Sequence, residues 1–336
     1  MSSNRLTVTI VLAGIQPLVI IWALVMGSVD VTLGQLLEIL RVGPTGDIAS
    51  RVVWEIRLPR TLGAWLGGCS LAIAGIMLQV YFRNPLADPY ILGISAGSSL
   101  MVALVIFGGF TLGIMTSPYD PYALFMGSLA GALMASVLIV SISIVTNRHT
   151  VILLAGLLFS YLAYSITTIV QYLVDIERFR AYVFWMFGSF GGVKWSLLIP
   201  ASIAMIAASL LSIALAKPLN ALLMGEDYAR SMGVNIRVTR ISLILFSSLM
   251  ASSVTLLAGP VGFIGIAVPY VSRSILRTSD NRYLIPFSAL AGSTITVSAD
   301  VLARTVISPV ELPISAITAM IGVPLIIALL LKERGI

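Results

Sequence analysis

The sequence predicts an all-α polytopic membrane protein with about ten transmembrane helices, and two observations support this fold class. Of 336 residues, 58% are hydrophobic and 10% are charged, whereas a soluble domain has about 25% charged residues. The mean hydropathy is +1.04. Since a membrane helix needs about 20 residues, the roughly 195 hydrophobic residues suffice for nine or ten helices. A water-soluble enzyme, a disordered chain and a disulfide-stapled secreted domain are excluded.

Apolar runs separated by charged residues, Gly and Pro locate the predicted spans. The first run, residues 6–26, is too long for the core of a cleaved signal peptide, so we interpret it as a membrane helix. The predicted spans are residues 6–27, 58–81, 90–108, 122–144, 151–174, 195–215, 238–258, 262–276, 283–303 and 312–331.

Two stretches need separate interpretation. Residues 181–193 are apolar, but they number only 13 between Arg180 and Lys194. They are too short to cross a bilayer and are predicted to be interfacial or re-entrant. Residues 259–270 (GPVGFIGIAVPY) are rich in Gly and Pro. Irregular backbone at membrane depth must be buried in protein or line a cavity, so the eighth span is predicted to be short, broken and surrounded by helices.

The distribution of basic residues predicts the orientation. With ten spans and a cytoplasmic N-terminus, 12 of the 20 Lys and Arg residues fall in cytoplasmic segments, and both termini are cytoplasmic. The short loop at residues 273–282 carries three of these arginines. The formal charge of +6 is therefore attributed to basic residues in the loops between spans, and no nucleic-acid partner is predicted.

The chain lacks the residues that most enzymes need. It has one cysteine and one histidine, and it contains no GxxxxGK[ST] or HExxH pattern. No catalytic residue, cofactor site or metal site is predicted, and residues 1–336 are read as one transmembrane domain. Charged residues fall near the ends of the predicted spans, which disfavours a proton-coupled pump. The energy source is therefore expected on another subunit. A self-sufficient secondary carrier remains the alternative, and an intramembrane enzyme is a third hypothesis.

Residues 217–240 (KPLNALLMGEDYARSMGVNIRVTR) are predicted to form two short helices at a cytoplasmic corner. Pro218 is suited to a first helical position, Gly225 separates the helices, and Gly233 ends the second. Glu226 begins the second helix, four residues before Arg230, with which it is expected to pair. The segment is either an interfacial loop in lipid headgroups or a knob that fits another protein.

These residues and three further stretches carry a family resemblance. RLPRTLGAWLGGCSLAIAGIMLQVYFRNPLADPYILGISAG (57–97), GPVGFIGIAVPYVSR (259–273) and ADVLARTVISPVELPISAITAMIGVPLIIALLLK (299–332) closely resemble permeases of binding-protein-dependent ABC importers for iron chelates, haem and cobalamin. The resemblance implies a multi-pass protein of the cytoplasmic (inner) membrane. It implies a dimer, expected to be of identical copies, with two cytoplasmic ATPase subunits that bind ATP and Mg²⁺ and an external solute-binding protein. Ferric siderophore is the first cargo candidate, followed by haem and cobalamin.

The resemblance also assigns a role to segment 217–240, which in the family enters a cleft of the ATPase. We refer to these residues as the coupling segment. The predicted coupling residues are Leu219, Leu222, Leu223, Gly225, Glu226, Asp227, Arg230 and Gly233.

Arg57 and Arg60 flank Pro59 at the predicted start of the second span, where cations oppose the helix dipole. The residues alone allow pairing with lipid phosphates, with Glu55 or with acidic residues of a docked protein. The resemblance favours the third option, with Arg57, Arg60 and Arg304 receiving glutamates of the binding protein.

A polar stripe on the fifth span predicts a path-lining face, with helix–helix contacts or bonds to the helix's own carbonyls as the alternative. The resemblance implies that the fifth and tenth spans line the translocation path, that an inner gate closes it, and that spans 2–5 and 7–10 form an inverted repeat. The predicted path residues are Ser160, Tyr164, Thr167, Gln171, Ser315 and Thr318, and the gate residues are Asn84, Leu86, His149 and Thr150. From the sequence, His149 is expected to be solvated.

Overall fold

A computed structural model describes residues 2–109, 117, 120–146 and 148–333 of the chain, and within them the regular structure is helical. The α-helices in chain order are α1 (Ser2–Val25), α2 (Leu33–Val42), α3 (Ile48–Arg51), α4 (Leu58–Tyr81), α5 (Ile94–Leu104), α6 (Pro121–Val145), α7 (His149–Leu173), α8 (Ile176–Phe187), α9 (Trp195–Ala214), α10 (Ala216–Leu223), α11 (Glu226–Ser231), α12 (Ile236–Ala258), α13 (Ile264–Leu276), α14 (Asn281–Thr305) and α15 (Ile314–Glu333).

Each predicted span coincides with one of these helices, which confirms the all-α polytopic prediction. Among the described residues, seven helices are long and apolar enough to cross a membrane, and three shorter apolar helices match the third, eighth and tenth spans. The eighth, α13, has 13 residues, as the Gly- and Pro-rich sequence before it predicted. Residues 181–193 do not span: α8 has 12 residues and is followed by a single 3-10 turn.

Side-chain caps account for where several helices begin. Asp120 accepts hydrogen bonds from backbone N–H groups at the start of α6, immediately before Pro121. Asp175, Asn235 and Asp280 do the same for α8, α12 and α14. A helix leaves its first N–H groups without internal partners, so a short polar side chain just before an apolar run stabilises the start.

The second membrane helix begins earlier than predicted. Residues 48–81 form one continuous helix of 34 residues, in which a π-helical stretch, Val52–Arg57, joins α3 to α4. This stretch ends two residues before Pro59, which has no N–H to give to a carbonyl one turn back. Arg57 and Arg60 consequently lie inside a helix, and the expected conflict with a helix N-terminus is wrong.

Close backbone contacts between glycines set the position of α4 in the bundle, where it packs against α12, α13 and α14. A Cβ atom on Gly75 would lie 1.9 Å from the carbonyl oxygen of Gly265 on α13. A Cβ atom on Gly68 would lie 2.2 Å from the carbonyl oxygen of Gly292 on α14. Only residues without a side chain allow helices to approach this closely.

Helix contacts in the two halves correspond as an inverted repeat requires. In the first half α4 packs against α14 and α5 against α6 and α7; in the second half α12 packs against α6 and α13 against α14 and α15. Spans 2–5 and 7–10 therefore make equivalent pairs. The connections after α4 and after α12 also meet, since the Tyr90 hydroxyl accepts the Val261 N–H at 3.3 Å.

Polar contacts define the two ends of the bundle. At one end, Arg5 of α1 donates to the carbonyls of Leu276 and Arg277, and Asn220 of α10 bonds to Asp280. We refer to this as the coupling end because it carries the coupling segment. The opposite end carries Arg57, Arg60 and Glu311. α15 starts at the opposite end and runs toward the coupling end, where α1 begins.

Candidate functional site

The coupling segment contains the two short helices that the sequence predicted. α10 begins at Ala216, two residues before Pro218, and Gly225 (φ 123°) separates it from α11. Gly233 (φ 81°) follows α11. Both glycines adopt backbone conformations that residues with side chains rarely adopt, so the chain reverses sharply at each of them.

Hydrogen bonds hold α10 to the start of α14. The Asn220 side chain donates to Asp280 at 2.6 Å and accepts from the backbone and side-chain N–H groups of Asn281, both at 2.8 Å. Hydrogen bonds from Arg282 lower the pKa of Asp280 to about 2, so this carboxylate stays ionised and keeps capping α14. The base of the coupling segment is thereby attached to the membrane bundle.

The leucines of α10 divide between two surfaces. Leu219 and Leu222 are buried against the bundle, and of the predicted leucine stripe only Leu223 is substantially exposed. The exposed apolar surface is instead formed by Met224, Tyr228 and Met232, which are 74%, 50% and 64% exposed. These three residues, which we call the Met–Tyr knob, were missed from the sequence because its apolar pattern does not show which side of so short a helix faces the bundle.

The sequence predicted that Glu226 pairs with Arg230, and this prediction is wrong. Its carboxylate lies 3.2 Å from His149 Nε2 and 3.7 Å from the Arg240 guanidinium. The His149 ring packs against the rings of Tyr81 and Phe82, at centroid distances of 4.5 and 6.1 Å. The expectation that His149 is solvated is therefore wrong, because α11 and the end of α4 pack against it.

Three of the four predicted gate residues border two neighbouring cavities rather than one. His149 and Thr150 line a cavity of about 850 Å³ beside the coupling segment. Asn84 lines a cavity of about 280 Å³ next to it, and Arg83 borders both cavities. Leu86 is exposed, and its N–H donates to the Asn84 side chain at 3.0 Å, which is the turn expected of an Asn at this position.

The predicted polar stripe on α7 is only partly open. The hydroxyls of Ser160 and Thr167 donate to carbonyls four residues earlier in the helix, at 2.8 and 2.7 Å, and Thr167 is buried. Tyr164 is 70% exposed, and Gln171 is half-buried. For Ser160 and Thr167, the alternative prediction applies in this conformation: their hydroxyls bond to carbonyls of their own helix.

The two predicted path residues on α15 form hydrogen bonds to the irregular loop after α12. The Ser315 hydroxyl donates to the carbonyl of Pro260 at 2.6 Å, and the Thr318 hydroxyl donates to that of Gly262 at 2.9 Å. These bonds satisfy carbonyls that no helix pairs. A lining role for the two residues stays a prediction.

The exposed face of α7 carries tyrosines that the sequence reasoning did not assign, apart from Tyr164. Tyr161, Tyr164 and Tyr172 are exposed, and their phenol hydroxyls make no hydrogen bond among the described residues. Tyr161 lies 12 residues into α7, or about 18 Å along its axis. An unpaired phenol at that depth in lipid is costly, so this face is expected to meet water or another protein.

At the opposite end, Arg57 is 3% exposed and bonds to backbone carbonyls. Its guanidinium donates to Leu24 at 2.8 Å, to Val25 at 2.9 Å and also to Val29. It thereby satisfies carbonyls at the end of α1, which a helix leaves unpaired. Neither Arg57 nor Arg60 pairs with Glu55, which instead pairs with Arg51 at 3.7 Å.

Arg60 and Arg304 form a charge-balanced cluster with Asp300 and Glu311. Arg60 lies 2.9 Å from Asp300 and 2.6 Å from Glu311, and Arg304 lies 3.6 Å from Asp300. Asp300 is 1% exposed, and its full burial on α14 was not foreseen. We call these four residues the outer ion cluster.

Burial alone would raise the pKa of Glu311, but the positive charge and hydrogen bonds of Arg60 outweigh burial and lower it. Of the three predicted docking arginines, Arg57 and Arg60 are buried and Arg304 is half-buried, and all three bond within the chain rather than being free at the surface. Their docking role stays a prediction, and it requires these internal partners to be exchanged.

The long apolar helices of the described residues are those of a multi-pass membrane protein. The comparisons with known proteins agree. A structure of a metal-chelate type ABC transporter, described as inward-facing, matches with a TM-score of 0.84 and 28% identity over 97% of this chain and 99% of that chain.

The chain belongs to the FecCD transport family, which matches residues 15–332. It is 35% identical to the hemin transport system permease protein HmuU of Yersinia pestis, over 86% of each chain. It is 37% identical to the vitamin B12 import system permease protein BtuC of Citrobacter koseri, over 84% of this chain and 83% of that protein. The chain is thus a permease subunit of an ABC importer.

Proposed function

We propose that this permease imports a metal chelate or a related tetrapyrrole, driven by a separate ATPase that binds the coupling segment. Ferric siderophore is the first candidate cargo, and haem and cobalamin are the others. In this proposal a binding protein delivers the cargo at the opposite end, and two identical permease chains enclose the path. The coupling end faces the cytoplasm, in agreement with its arginines at residues 273–282.

The observation that carries the proposal is the Met–Tyr knob. Exposed methionine and tyrosine side chains grouped at a polar end of a membrane protein are typical of a protein-binding surface. α10 is fixed to α14 at its base, so the knob is held in place rather than free to fold back. A protein that grips the knob can therefore push against the membrane bundle.

The exposed α7 face supports the proposed path. Its tyrosines and its Ser and Thr residues are uncharged, and weak contacts suit a channel that must release its cargo. We place this face toward the second permease chain, so that two such faces border the path. The docking proposal for Arg57, Arg60 and Arg304 rests on their position at the end opposite the coupling segment and on their positive charge.

A secondary carrier built on the buried Asp300 is disfavoured because this carboxylate is paired with Arg60 and Arg304. Such a carrier would transport cargo in vesicles without any ATPase. The proposed importer would not.

Replacing Met224 and Met232 together by Ser is expected to weaken ATPase binding by at least about tenfold. Burying one such side chain contributes about 1.5–3 kcal/mol, and about 1.4 kcal/mol corresponds to tenfold in affinity. The dissociation constant is measured by biolayer interferometry, with the permease in nanodiscs and the purified ATPase subunit in solution.

The matched control is Val42→Ser, which changes a 62% exposed apolar residue on α2, at the opposite end of the bundle. ATPase affinity should be unchanged in this control, and both variants should keep the thermal stability of the wild type. Equal affinities for the wild type and the Met224→Ser/Met232→Ser variant would contradict the proposal.

A further inference from the structure

Glu226 is the point at which the coupling segment touches the first turn of α7. It is the first residue of α11, and His149 is the first residue of α7. Glu226 Oε1 and His149 Nε2 are 3.2 Å apart, within hydrogen-bonding distance, and both side chains are 25% exposed. A contact that is mostly withdrawn from water is stronger than the same contact on an open surface.

The His149 ring is held in place from the other side. Tyr81 and Phe82, at the end of α4, pack against it. The ring therefore cannot swing away from Glu226 without losing its aromatic contacts. This packing favours the ring position in which Nε2 faces Glu226.

Arg240 of α12 completes the arrangement. Its guanidinium lies 3.7 Å from Glu226, its side chain is 4% exposed, and it donates to the Thr146 carbonyl at 3.4 Å. The same arginine thus holds the N-terminus of α11 and the connection that leads into α7. Arg83, which borders the same cavity as His149, adds positive charge near the carboxylate.

We propose that Glu226 and His149 form a polar latch that transmits movement of the coupling segment to α7, with Arg240 as the positioning residue for the carboxylate. The inference rests on the proposed function and names the contact through which it operates. The Met–Tyr knob and Glu226 lie on the same short hairpin, so a displacement of the knob displaces Glu226. Through His149 the displacement reaches α7, whose exposed tyrosine face we place along the path.

The latch is tested by varying His149, which lies outside the coupling segment and therefore outside the proposed ATPase contact. His149→Phe keeps an aromatic ring against Tyr81 and Phe82 but removes the N–H donor. His149→Gln restores an N–H donor at a similar reach. Val151→Ala, a change at another residue lining the same cavity, is the control.

Proteoliposomes containing the permease, its ATPase and its binding protein are assayed for ATP hydrolysis and for uptake of labelled ferric siderophore, haemin and cyanocobalamin in parallel. We expect His149→Phe to lower uptake per ATP hydrolysed by about five- to tenfold, while ATPase affinity stays within about twofold of the wild type. His149→Gln should recover most of the uptake, and Val151→Ala should match the wild type.

A double-mutant cycle with Glu226→Gln separates a direct latch from two independent effects. If the two residues form a latch, the double variant Glu226→Gln/His149→Phe loses no more uptake per ATP than whichever single variant has the lower uptake per ATP. Additive losses, wild-type coupling in His149→Phe, or uptake lost together with ATPase binding would each overturn the latch. A wild-type permease that shows no ATP-driven uptake of any of the three chelates would overturn the proposed function itself.

Discussion

Gly75→Ala is expected to prevent stable folding of the permease. The new Cβ atom would lie 1.9 Å from the carbonyl oxygen of Gly265, far inside van der Waals contact. The obstructing atom belongs to the backbone of α13, so no side-chain rotation relieves the clash. We expect the free energy of unfolding to fall by more than about 3 kcal/mol, at the upper end of the effects of overpacking a core. The measurement is the apparent melting temperature in detergent, followed by fluorescence-detected size exclusion.

Gly14→Ala on α1 is the matched control. It is the same chemical change in a membrane helix, but no heavy atom lies within 4 Å of the new Cβ position. Alanine also favours a helix over glycine by about 1 kcal/mol. Gly14→Ala should therefore melt at or above the wild-type temperature. Equal melting temperatures for the two alanine variants would show that α4 and α13 do not pack as closely as described.

Asp300→Ala is expected to destabilise the protein nearly as strongly. Removing this carboxylate leaves Arg60 and Arg304 with Glu311 as the remaining carboxylate of the outer ion cluster. Breaking a buried pair by deleting one partner costs about 3–5 kcal/mol, because the other charge stays buried without compensation. Urea or thermal unfolding of the purified permease measures the decrease in stability.

Two comparisons make this prediction specific. Glu55→Gln removes one partner of the exposed Arg51–Glu55 pair and should cost no more than about 1 kcal/mol. Joint replacement of Arg60 by Met and Asp300 by Leu should recover much of the stability, since apolar residues often replace a buried ion pair without loss. If Asp300→Ala unfolds like Glu55→Gln, the cluster does not stabilise the fold.

The sequence predicted the membrane helices well because their signal is local. Runs of about 20 apolar residues identify them, and capping residues such as Asp120, Asp175 and Asp280 mark where several begin. The short eighth helix was predicted for the same reason, from the Gly and Pro residues of GPVGFIGIAVPY. The early start of the second membrane helix was missed because Pro59 usually marks a helix beginning, and a π-helical turn accommodates it here.

The site residues were harder to predict because their contacts join distant parts of the chain. Asp300, the partner of Arg60, lies 240 residues further along the sequence. Similarly, 77 residues separate His149 from Glu226. Arg57 and Arg60 were therefore expected to pair with lipid phosphates, with Glu55 or with a docked protein, and a lone histidine in a basic loop was expected to be solvated. Burial decided both cases, and burial of a single polar residue has no periodic signature in one sequence.

The coupling segment shows an intermediate case. Its two helices and both glycine breaks follow from local residue preferences. The orientation of α10 does not, because Leu222, Leu223 and Met224 are consecutive and equally apolar. The bonds between Asn220 and the start of α14, together with burial of Leu219 and Leu222, determine which of them faces outward.

ATP-driven uptake by proteoliposomes is the most direct test of the proposed function. One set contains the permease, the ATPase and ATP inside, with binding protein and labelled chelate outside; a second set lacks only the ATPase. Accumulation against a gradient should occur in the first set alone, and the Met224→Ser/Met232→Ser variant should reduce it strongly. Accumulation in vesicles that hold this permease without an ATPase would contradict the account and identify a self-sufficient carrier.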